Sequence, residues 1–589
     1  MPDSEFRDKD KIENGISRIT ENCGKYQKQL FLIMMVTSVL IPIAFLCNAL
    51  LTDKNTEHFC NTSEDIKISV SQVCNKSWTL TQDLLTIPLN NDTKQLDHCY
   101  KYDLGLVLQP IDCSFWFQND NSSNSSVAEN TQTHENQTFN TTKCTSWSYH
   151  NDIFHSTVDS RFNLVCDNAW KAQIASLSLM FGVLVGSVIF GLISDRYGRK
   201  SSFAIALYVL AASEFISTFV RNFAVYCIMQ LCTGSGFIGV CTAGFIMGME
   251  LLSSRHRVIA AQFFQCTFPV GFMLFALVGY LIPNWRTVGQ LSSVVILFIV
   301  LIFWRVALES PRWLYARNRL EDANRIINKI AKLNGYEQKM ELVPPMEIGG
   351  NEESEEMINT PANTNDPEIL TKFSFLVLFT NRTLRKITII LCYNWFAVTS
   401  IYYGLSFSTT QLSGNVFLNI FYTGLVDIPA NCCAGLLMKY WGRRPVVCVF
   451  NFLSSTALLC MMFVPQDMSW LILILFLTGK FGTTGAFGGV YLYTSELYPT
   501  PIRGNGLGCC SGFSRIGGMS AILILMLGSI WKTLPYIVFG VISFLAGFLV
   551  LILPETKNNG FPETIEECKK MDNNRTISLK SQFCPFGKR

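Results

Sequence analysis

The sequence has little charge and little histidine. Only 15% of its 589 residues are Asp, Glu, Lys or Arg, whereas soluble proteins carry about 25%. The 6 histidines all fall outside the long apolar runs. These shortages argue against an ordinary soluble enzyme, against catalysis by histidine and against a histidine proton relay. The net charge is only +3, which gives no bulk-charge reason to expect a nucleic-acid partner.

Apolar residues are abundant, but they are concentrated in separate runs. Hydrophobic residues make up 49% of the chain, yet the mean hydropathy is only +0.27. Such a mixture indicates membrane-crossing runs diluted by polar blocks, because about 20 apolar residues cross the hydrocarbon core. The runs predict an all-α membrane protein with twelve spans, near 30–52, 174–194, 201–220, 223–249, 258–282, 287–305, 386–406, 415–437, 446–464, 469–493, 506–529 and 534–553.

Lysines and arginines in the short loops predict the orientation. If the N-terminus is cytoplasmic, nine lie in inside loops and three, Arg221, Arg286 and Lys532, lie outside. Both termini are therefore predicted to be cytoplasmic, and the first span is read as an anchor because no cleavage site follows it. The predicted segments are a cytoplasmic N-terminus (1–29), a first transmembrane helix (30–52), an extracellular loop (53–165), helices two to six (174–305), a cytoplasmic loop (306–385), helices seven to twelve (386–553) and a cytoplasmic tail (554–589). This six-plus-six layout is typical of two-halved transporters.

The large outer loop carries the marks of an extracellular, glycosylated segment. Its seven N-x-S/T sequons lie at Asn61, Asn75, Asn91, Asn121, Asn124, Asn136 and Asn140, and chance does not readily place seven in one loop. Its six cysteines are Cys60, Cys74, Cys99, Cys113, Cys144 and Cys166. They predict up to three disulfides, with the pairing left open among fifteen arrangements. Elsewhere no cysteine cluster has metal-ligand spacing, so no metal site is expected.

Two matching loops carry a glycine and clustered cations. The first reads Gly191 to Lys200 after the second span, and the second reads Lys439 to Arg444 after the eighth. Carboxylates and arginines in such loops can exchange partners between two packings of the halves. The alternative is simple positive-inside topology. Candidate gating residues are Gly191, Asp195, Arg196, Gly198, Arg199, Gly442, Arg443, Arg444, Glu496 and Arg503.

These loops resemble the cytoplasmic signature of the major facilitator superfamily. More closely, the chain resembles solute carrier family 22, the organic cation, anion and zwitterion transporters. The resemblance rests on motifs along nearly the whole chain, namely 24–27, 163–166, 309–314, 395–396, 402–405, 496–500 and 554–556. It implies the major facilitator fold and a large disulfide-bonded outer loop. Gln230 stands where the family usually has a base and Lys439 where it usually has an acid, which predicts an asymmetric gate.

Three charges lie near the middle of predicted spans, all in the second half. They are Asp427, Lys480 and Arg515. Because a mid-membrane charge costs roughly 2.5–3.5 kcal/mol on insertion scales, each is a candidate functional residue, with a paired structural salt bridge as the alternative. The resemblance implies that Arg515 contacts substrate, since cation-selective members carry an acid there and anion and carnitine-type members an arginine. A guanidinium can bind a carboxylate through two parallel hydrogen bonds.

Aromatic residues complete the predicted substrate site. In this family the positions of Trp395, Tyr402, Tyr403, Phe487 and Tyr491 face the cavity, and Phe268 is a further candidate. Their alternative role is packing against lipid or other helices. Aromatic faces attract ammonium groups, so an arginine beside an aromatic cage suits a zwitterion or an amino-acid-derived amine, with Asp427 as counter-charge for a primary amine.

The sequence therefore predicts a plasma-membrane secondary transporter, not an enzyme, that moves small organic cations or zwitterions such as carnitine by alternating access. The first alternative is an organic anion exchanger of the same fold, although Asn431 stands where such exchangers typically have a base. The second is a glycosylated receptor or adhesion protein. No cofactor is expected, the partners are the solute and the lipid bilayer, and sodium coupling, disulfide connectivity and oligomeric state are left open.

Overall fold

The computed structural model describes residues 24–50, 58–60, 99–102, 141–149, 157–252, 254–317, 319–335, 377–465, 467–499, 502–557 and 566–570. Twelve long helices dominate this part of the chain. They are α1 (Lys25–Leu50), α2 (Ala169–Tyr197), α3 (Arg199–Ser217), α4 (Phe223–Glu250), α5 (Ser254–Leu281), α6 (Trp285–Val306), α7 (Arg382–Ser408), α8 (Val416–Trp441), α9 (Arg443–Cys460), α10 (Ser469–Leu497), α11 (Arg503–Met526) and α12 (Leu534–Val550). The predicted all-α fold with twelve helices is confirmed.

In the described part of the chain, eleven of these helices are long and apolar enough to cross a membrane. The last, α12, has 17 residues and falls just short of that length. Several helices begin earlier than their apolar runs, because basic residues such as Lys25, Arg199 and Arg503 form the first turn. Hydropathy marks the apolar core of a helix, whereas its end is set by backbone hydrogen bonds and capping.

Close packing of α7 against α11 fixes the helix that carries Arg515. A Cβ atom added at Gly517 would collide with the backbone carbonyl of Phe396 on α7. Small residues that let two backbones approach are typical of membrane helix interfaces. Ser400 on α7 and Ser520 on α11 add a hydroxyl–hydroxyl hydrogen bond of 3.0 Å.

A short amphipathic helix, Leu320–Leu333, follows α6. It buries Ala323, Ile327, Ile330 and Ala331. The residue after it, Asn334, accepts a hydrogen bond from the backbone of Tyr26 at 3.0 Å and donates one to Gln27 at 2.9 Å. The start of α1 is therefore tied to the segment between the sixth and seventh long helices.

Residues 51–172 and 283–285 form a separate compact unit. Its described strands make two antiparallel pairs, β1 (His58–Cys60) with β4 (Trp147–Tyr149), and β2 (Tyr100–Tyr102) with β3 (Thr141–Lys143). Disulfides join Cys60 to Cys144 and Cys99 to Cys166. Two of the predicted bridges are thus present. The other two cysteines, Cys74 and Cys113, and all seven sequon asparagines lie outside the described residues.

Candidate functional site

The first gating motif is a helix N-terminus held by a carboxylate. Gly198 has a φ of 101°, in the region that favours glycine, and α3 begins directly after it. The backbone N–H groups of Arg199 and Lys200 donate to Oε1 of Glu309 at 2.8 and 3.0 Å. The Arg199 guanidinium donates to Asp195 at 2.7 Å and to Glu250 at 3.3 Å. The Glu309 carboxylate thus accepts hydrogen bonds from N–H groups that have no partner within the helix, and it lies at the positive end of the helix dipole.

The second half repeats this arrangement. Gly442 has a φ of 102°, and the N–H groups of Arg443 and Arg444 donate to the Glu555 carboxylate at 3.0 and 3.1 Å. The Arg443 guanidinium donates twice to Glu496, at 3.1 and 2.9 Å. Lys439 occupies the place that Asp195 has in the first half, so Arg443 lacks the second carboxylate that Arg199 has. The structure therefore contains the asymmetry that Lys439 predicts.

Two gating candidates, Arg196 and Gly191, lie apart from these two clusters in the described part of the chain. Arg503 donates to the backbone carbonyl of Tyr498 at 3.3 Å, and Arg196 is exposed and lies 5.6 Å from the ring of Tyr197. Gly191 lies in open space within α2. Three carboxylates that belong to the clusters, Glu250, Glu309 and Glu555, were not among the predicted residues. Glu250 ends α4, and Glu309 and Glu555 follow α6 and α12. Because the two halves repeat the same order of helices, these positions could have been recognised from the sequence.

Alanine at either motif glycine is expected to destabilise the protein. Gly198→Ala and Gly442→Ala should each cost roughly 1–2 kcal/mol from the left-handed backbone alone, and the new Cβ would also press against Glu309 or Glu555. Thermal unfolding of the detergent-solubilised protein would measure the loss. Gly191→Ala is the matched control, because a Cβ there meets nothing within 4 Å among the described residues. Equal melting temperatures for all three variants would contradict this reading.

Two of the three mid-span charges form a closed pair. Lys480 and Asp427 are 0% and 1% exposed, and the Lys480 Nζ lies 3.9 Å from Oδ2 of Asp427. Asp427 also accepts hydrogen bonds from Tyr402 Oη at 3.0 Å and Thr484 Oγ1 at 2.5 Å. Lys480 donates to Ser406 Oγ at 2.6 Å and lies 3.3 Å from the Tyr402 ring centroid. For these two residues the geometry favours the structural salt bridge that the sequence left as an alternative.

Arg515 differs from that pair. It is half-buried, and no acidic residue in the described part of the chain forms a salt bridge with it. Its Nε atom is buried and has no hydrogen-bond partner among the residues that the structure describes. Its charge acts on Cys241, Tyr403 and Tyr491, so the guanidinium lies among groups from α4, α7 and α10. A half-buried guanidinium without a counter-charge is partly desolvated, and a bound carboxylate would offset that cost.

All six predicted aromatic residues belong to one network of neighbouring rings. Trp395 lies 6.0 Å from Phe487 and 5.4 Å from Tyr491, measured between ring centroids. Tyr402 lies 6.3 Å from Phe487 and 5.7 Å from Tyr403. Trp395 is only 4% exposed, and its Nε1 donates to Thr494, so it holds the network in place rather than facing open space.

The network continues into the first half through residues that the sequence did not single out. Phe45 lies 6.3 Å from Tyr403 and stacks on Phe237 at 4.2 Å. Phe237 in turn lies 6.1 Å from the predicted Phe268. The sequence search also missed Glu214, a fully buried carboxylate on α3, because it falls near the end of its apolar run rather than in the middle.

Paired gating motifs, twelve apolar helices and an arginine-bearing aromatic site define a transporter of the major facilitator type. The sugar (and other) transporter family matches residues 106–567. The chain is 34% identical over 423 residues to the human protein organic cation/carnitine transporter 2, covering 72% of this chain and 73% of that protein. It is 33% identical over 445 residues to mouse solute carrier family 22 member 4, covering 74% of this chain and 78% of that protein.

Solved structures give the same fold. The proton:xylose symporter XylE, a major facilitator superfamily protein, matches with a TM-score of 0.52 and 15% identity, covering 92% of this chain and 99% of that chain. The chain therefore belongs to the sugar (and other) transporter family of the major facilitator superfamily and, within it, to solute carrier family 22.

Proposed function

We propose that the protein is a secondary transporter that carries small organic cations and zwitterions, such as carnitine-like or amino-acid-derived amines, across the plasma membrane by alternating access. Relatives at 33–34% identity are organic cation/carnitine transporters by name, which supports the solute class. Within this class, the observation that favours a zwitterion is Arg515, which lies beside the aromatic network and forms no salt bridge among the described residues.

The charges of the site favour a substrate that carries a carboxylate. Asp427 and Lys480 neutralise each other, so Arg515 leaves an excess of one positive charge. A carboxylate would take the two parallel hydrogen bonds that a guanidinium offers. The ammonium group of the same solute would then lie against aromatic faces, whose attraction for a desolvated cation is about 2 kcal/mol or more.

The half-buried rings nearest this position are the natural cage. Tyr403 and Tyr491 both lie within reach of the Arg515 charge, and Phe487 and Phe268 extend the surface on either side. Lys480 already occupies one face of Tyr402. In this assignment the Asp427–Lys480 pair orients Tyr402, and the solute binds to the remaining rings.

The same proposal includes the topology. Both termini lie in the cytoplasm, and the sequon-bearing loop 53–165 is extracellular. The lysine and arginine bias of the short loops supports this orientation. The seven sequons and the two disulfides of the outer unit support a plasma-membrane location, because glycosylation and disulfide formation belong to the secretory route.

Uptake of a matched solute panel by expressing cells tests the proposal. Labelled carnitine, a quaternary ammonium ion without a carboxylate and a dicarboxylate are each measured with sodium present and with sodium replaced. We expect carnitine uptake to exceed that of control cells several-fold and to exceed dicarboxylate uptake. Dicarboxylate uptake faster than carnitine uptake would favour the exchanger alternative. The comparison of uptake with and without sodium shows whether transport is coupled to sodium.

A deletion within the outer loop separates a transporter from a receptor or adhesion protein. Removing most of 115–142 should leave carnitine uptake largely intact, while Arg515→Asp abolishes it. A receptor predicts the reverse, with activity lost on loop deletion and retained after changes at Arg515.

A further inference from the structure

Helices α5 and α8 form a long seam between the first and second halves of the protein. They pack antiparallel, with Tyr280 and Phe417 in ring contact at 5.8 Å near one end. Further along, a Cβ at Gly424 would lie 2.8 Å from the carbonyl oxygen of Pro269 and 3.0 Å from Cβ of Phe272. The backbones of the two halves therefore approach closely in the middle of the seam.

A pair of free thiols lies on this seam. About two helical turns beyond Gly424 on α8, the antiparallel register brings Cys432 opposite Cys266 on α5. The register that the Gly424 contact sets places these two side chains next to each other. Both are free thiols, Cys266 half-buried and Cys432 exposed. They thus come from different halves of the transporter and meet at an accessible edge.

The surroundings of the pair leave it open to small oxidants. On α8 the side chains flanking Cys432 along the same face, Leu425 and Leu436, are 45% and 60% exposed. On α5 the neighbouring Phe263 and Val270 are 57% and 38% exposed. The pair therefore borders an exposed apolar stripe on two membrane-spanning helices, so an oxidant that acts on it must be small and uncharged, as hydrogen peroxide is.

We propose that Cys266 and Cys432 form a redox-sensitive lock, in which oxidation to a disulfide joins the two halves and stops transport. This inference rests on the alternating-access function proposed above. Hydrogen peroxide transfers one oxygen atom to the sulfur of Cys432, which gives a sulfenic acid and one water. The Cys266 thiol then attacks that sulfur, an S–S bond forms, and the sulfenic oxygen leaves as a second water.

A covalent link at this seam conflicts with the transport cycle. A disulfide holds its two Cα atoms about 4.4–6.8 Å apart. Alternating access requires one half to move against the other, so α5 and α8 must change their relative position. The link would hold the halves in a single arrangement until a reductant cleaves it.

The bond and its effect can be measured separately. A protease site is placed within residues 340–371 of the full-length protein, between the fragment with Cys266 and the fragment with Cys432, and parental uptake is verified. After treatment of membranes with hydrogen peroxide and then protease, we expect the fragments to stay joined on a non-reducing gel and to separate with dithiothreitol. The two outer-unit disulfides lie within the first fragment and do not join the two.

Uptake should fall at least fivefold on oxidation and recover with dithiothreitol. C266S and C432S should each resist this loss and give separated fragments, whereas C460S, which removes an exposed thiol outside the seam, should behave like the parent. Fragments that separate after oxidation of the parent would overturn the site. Joined fragments with unchanged uptake would overturn the lock. The gel does not depend on the solute, so its result stands even if the proposed substrate is wrong.

Discussion

Replacing Arg515 by alanine is expected to lower the uptake of a carnitine-like zwitterion by roughly 10–150-fold. This range corresponds to losing a charge-assisted interaction of about 1.5–3 kcal/mol. Arg515→Lys should give an intermediate rate, because lysine keeps the charge but loses the planar fork. Arg515→Asp should abolish zwitterion uptake and shift the preference toward cations that lack a carboxylate.

Initial uptake rates, normalised to the amount of protein at the cell surface, measure this effect. The matched control is Arg325→Ala, which removes a 77% exposed arginine outside the long helices. It should leave uptake near the parental rate. Zwitterion uptake that persists in Arg515→Asp would show that the carboxylate binds elsewhere.

Breaking the buried ion pair is expected to destabilise the protein severely. Lys480→Met would leave the Asp427 carboxyl group in the membrane interior without its counter-charge, and Asp427→Asn would do the same to the Lys480 amine. Removing one partner of a buried pair typically costs about 3–5 kcal/mol. Either single variant should therefore yield little folded protein after detergent extraction.

The double variant Asp427→Asn/Lys480→Met should recover much of that loss, because neither buried charge remains. Tyr402 and Thr484 donate to different oxygens of Asp427, so the single amide oxygen introduced at position 427 would keep one of these two hydrogen bonds. Thermal unfolding of all four proteins gives the coupling energy between the two sites. If the loss of stability in the double variant equals the sum of the losses in the two single variants, the pairing is contradicted. Zwitterion uptake by the double variant would confirm that the pair orients the site without binding the solute.

Features that depend on short segments of sequence could be predicted. The twelve helices follow from apolar runs, and Gly198 and Gly442 stand out because each precedes clustered basic residues in a matching place. The aromatic residues Tyr402, Tyr403 and Phe487 were found only through the resemblance to a family. The chain has 44 phenylalanines, and residue type alone does not distinguish an aromatic side chain that lines a cavity from one that packs against lipid or another helix.

Contacts between distant segments could not be predicted. Asp427 and Lys480 lie on different helices, far apart in the sequence, and nothing in their spacing indicates that they pair. The stacking of Phe45 on Phe237 and the pairing of Cys60 with Cys144 depend in the same way on how the chain folds. The carboxylates Glu309 and Glu555 were visible as family motifs, but their role as acceptors for helix N-termini required the three-dimensional structure.

The central claim is that Arg515 binds the carboxylate of a zwitterionic solute. Its most direct test is equilibrium binding of carnitine and of its carboxamide, which lacks the negative charge, to the purified parent and to Arg515→Ala. We expect the parent to bind carnitine at least about tenfold more tightly than the carboxamide, because the interaction is charge-assisted, and we expect this preference to vanish in the variant. A preference of the same size in both proteins would contradict it.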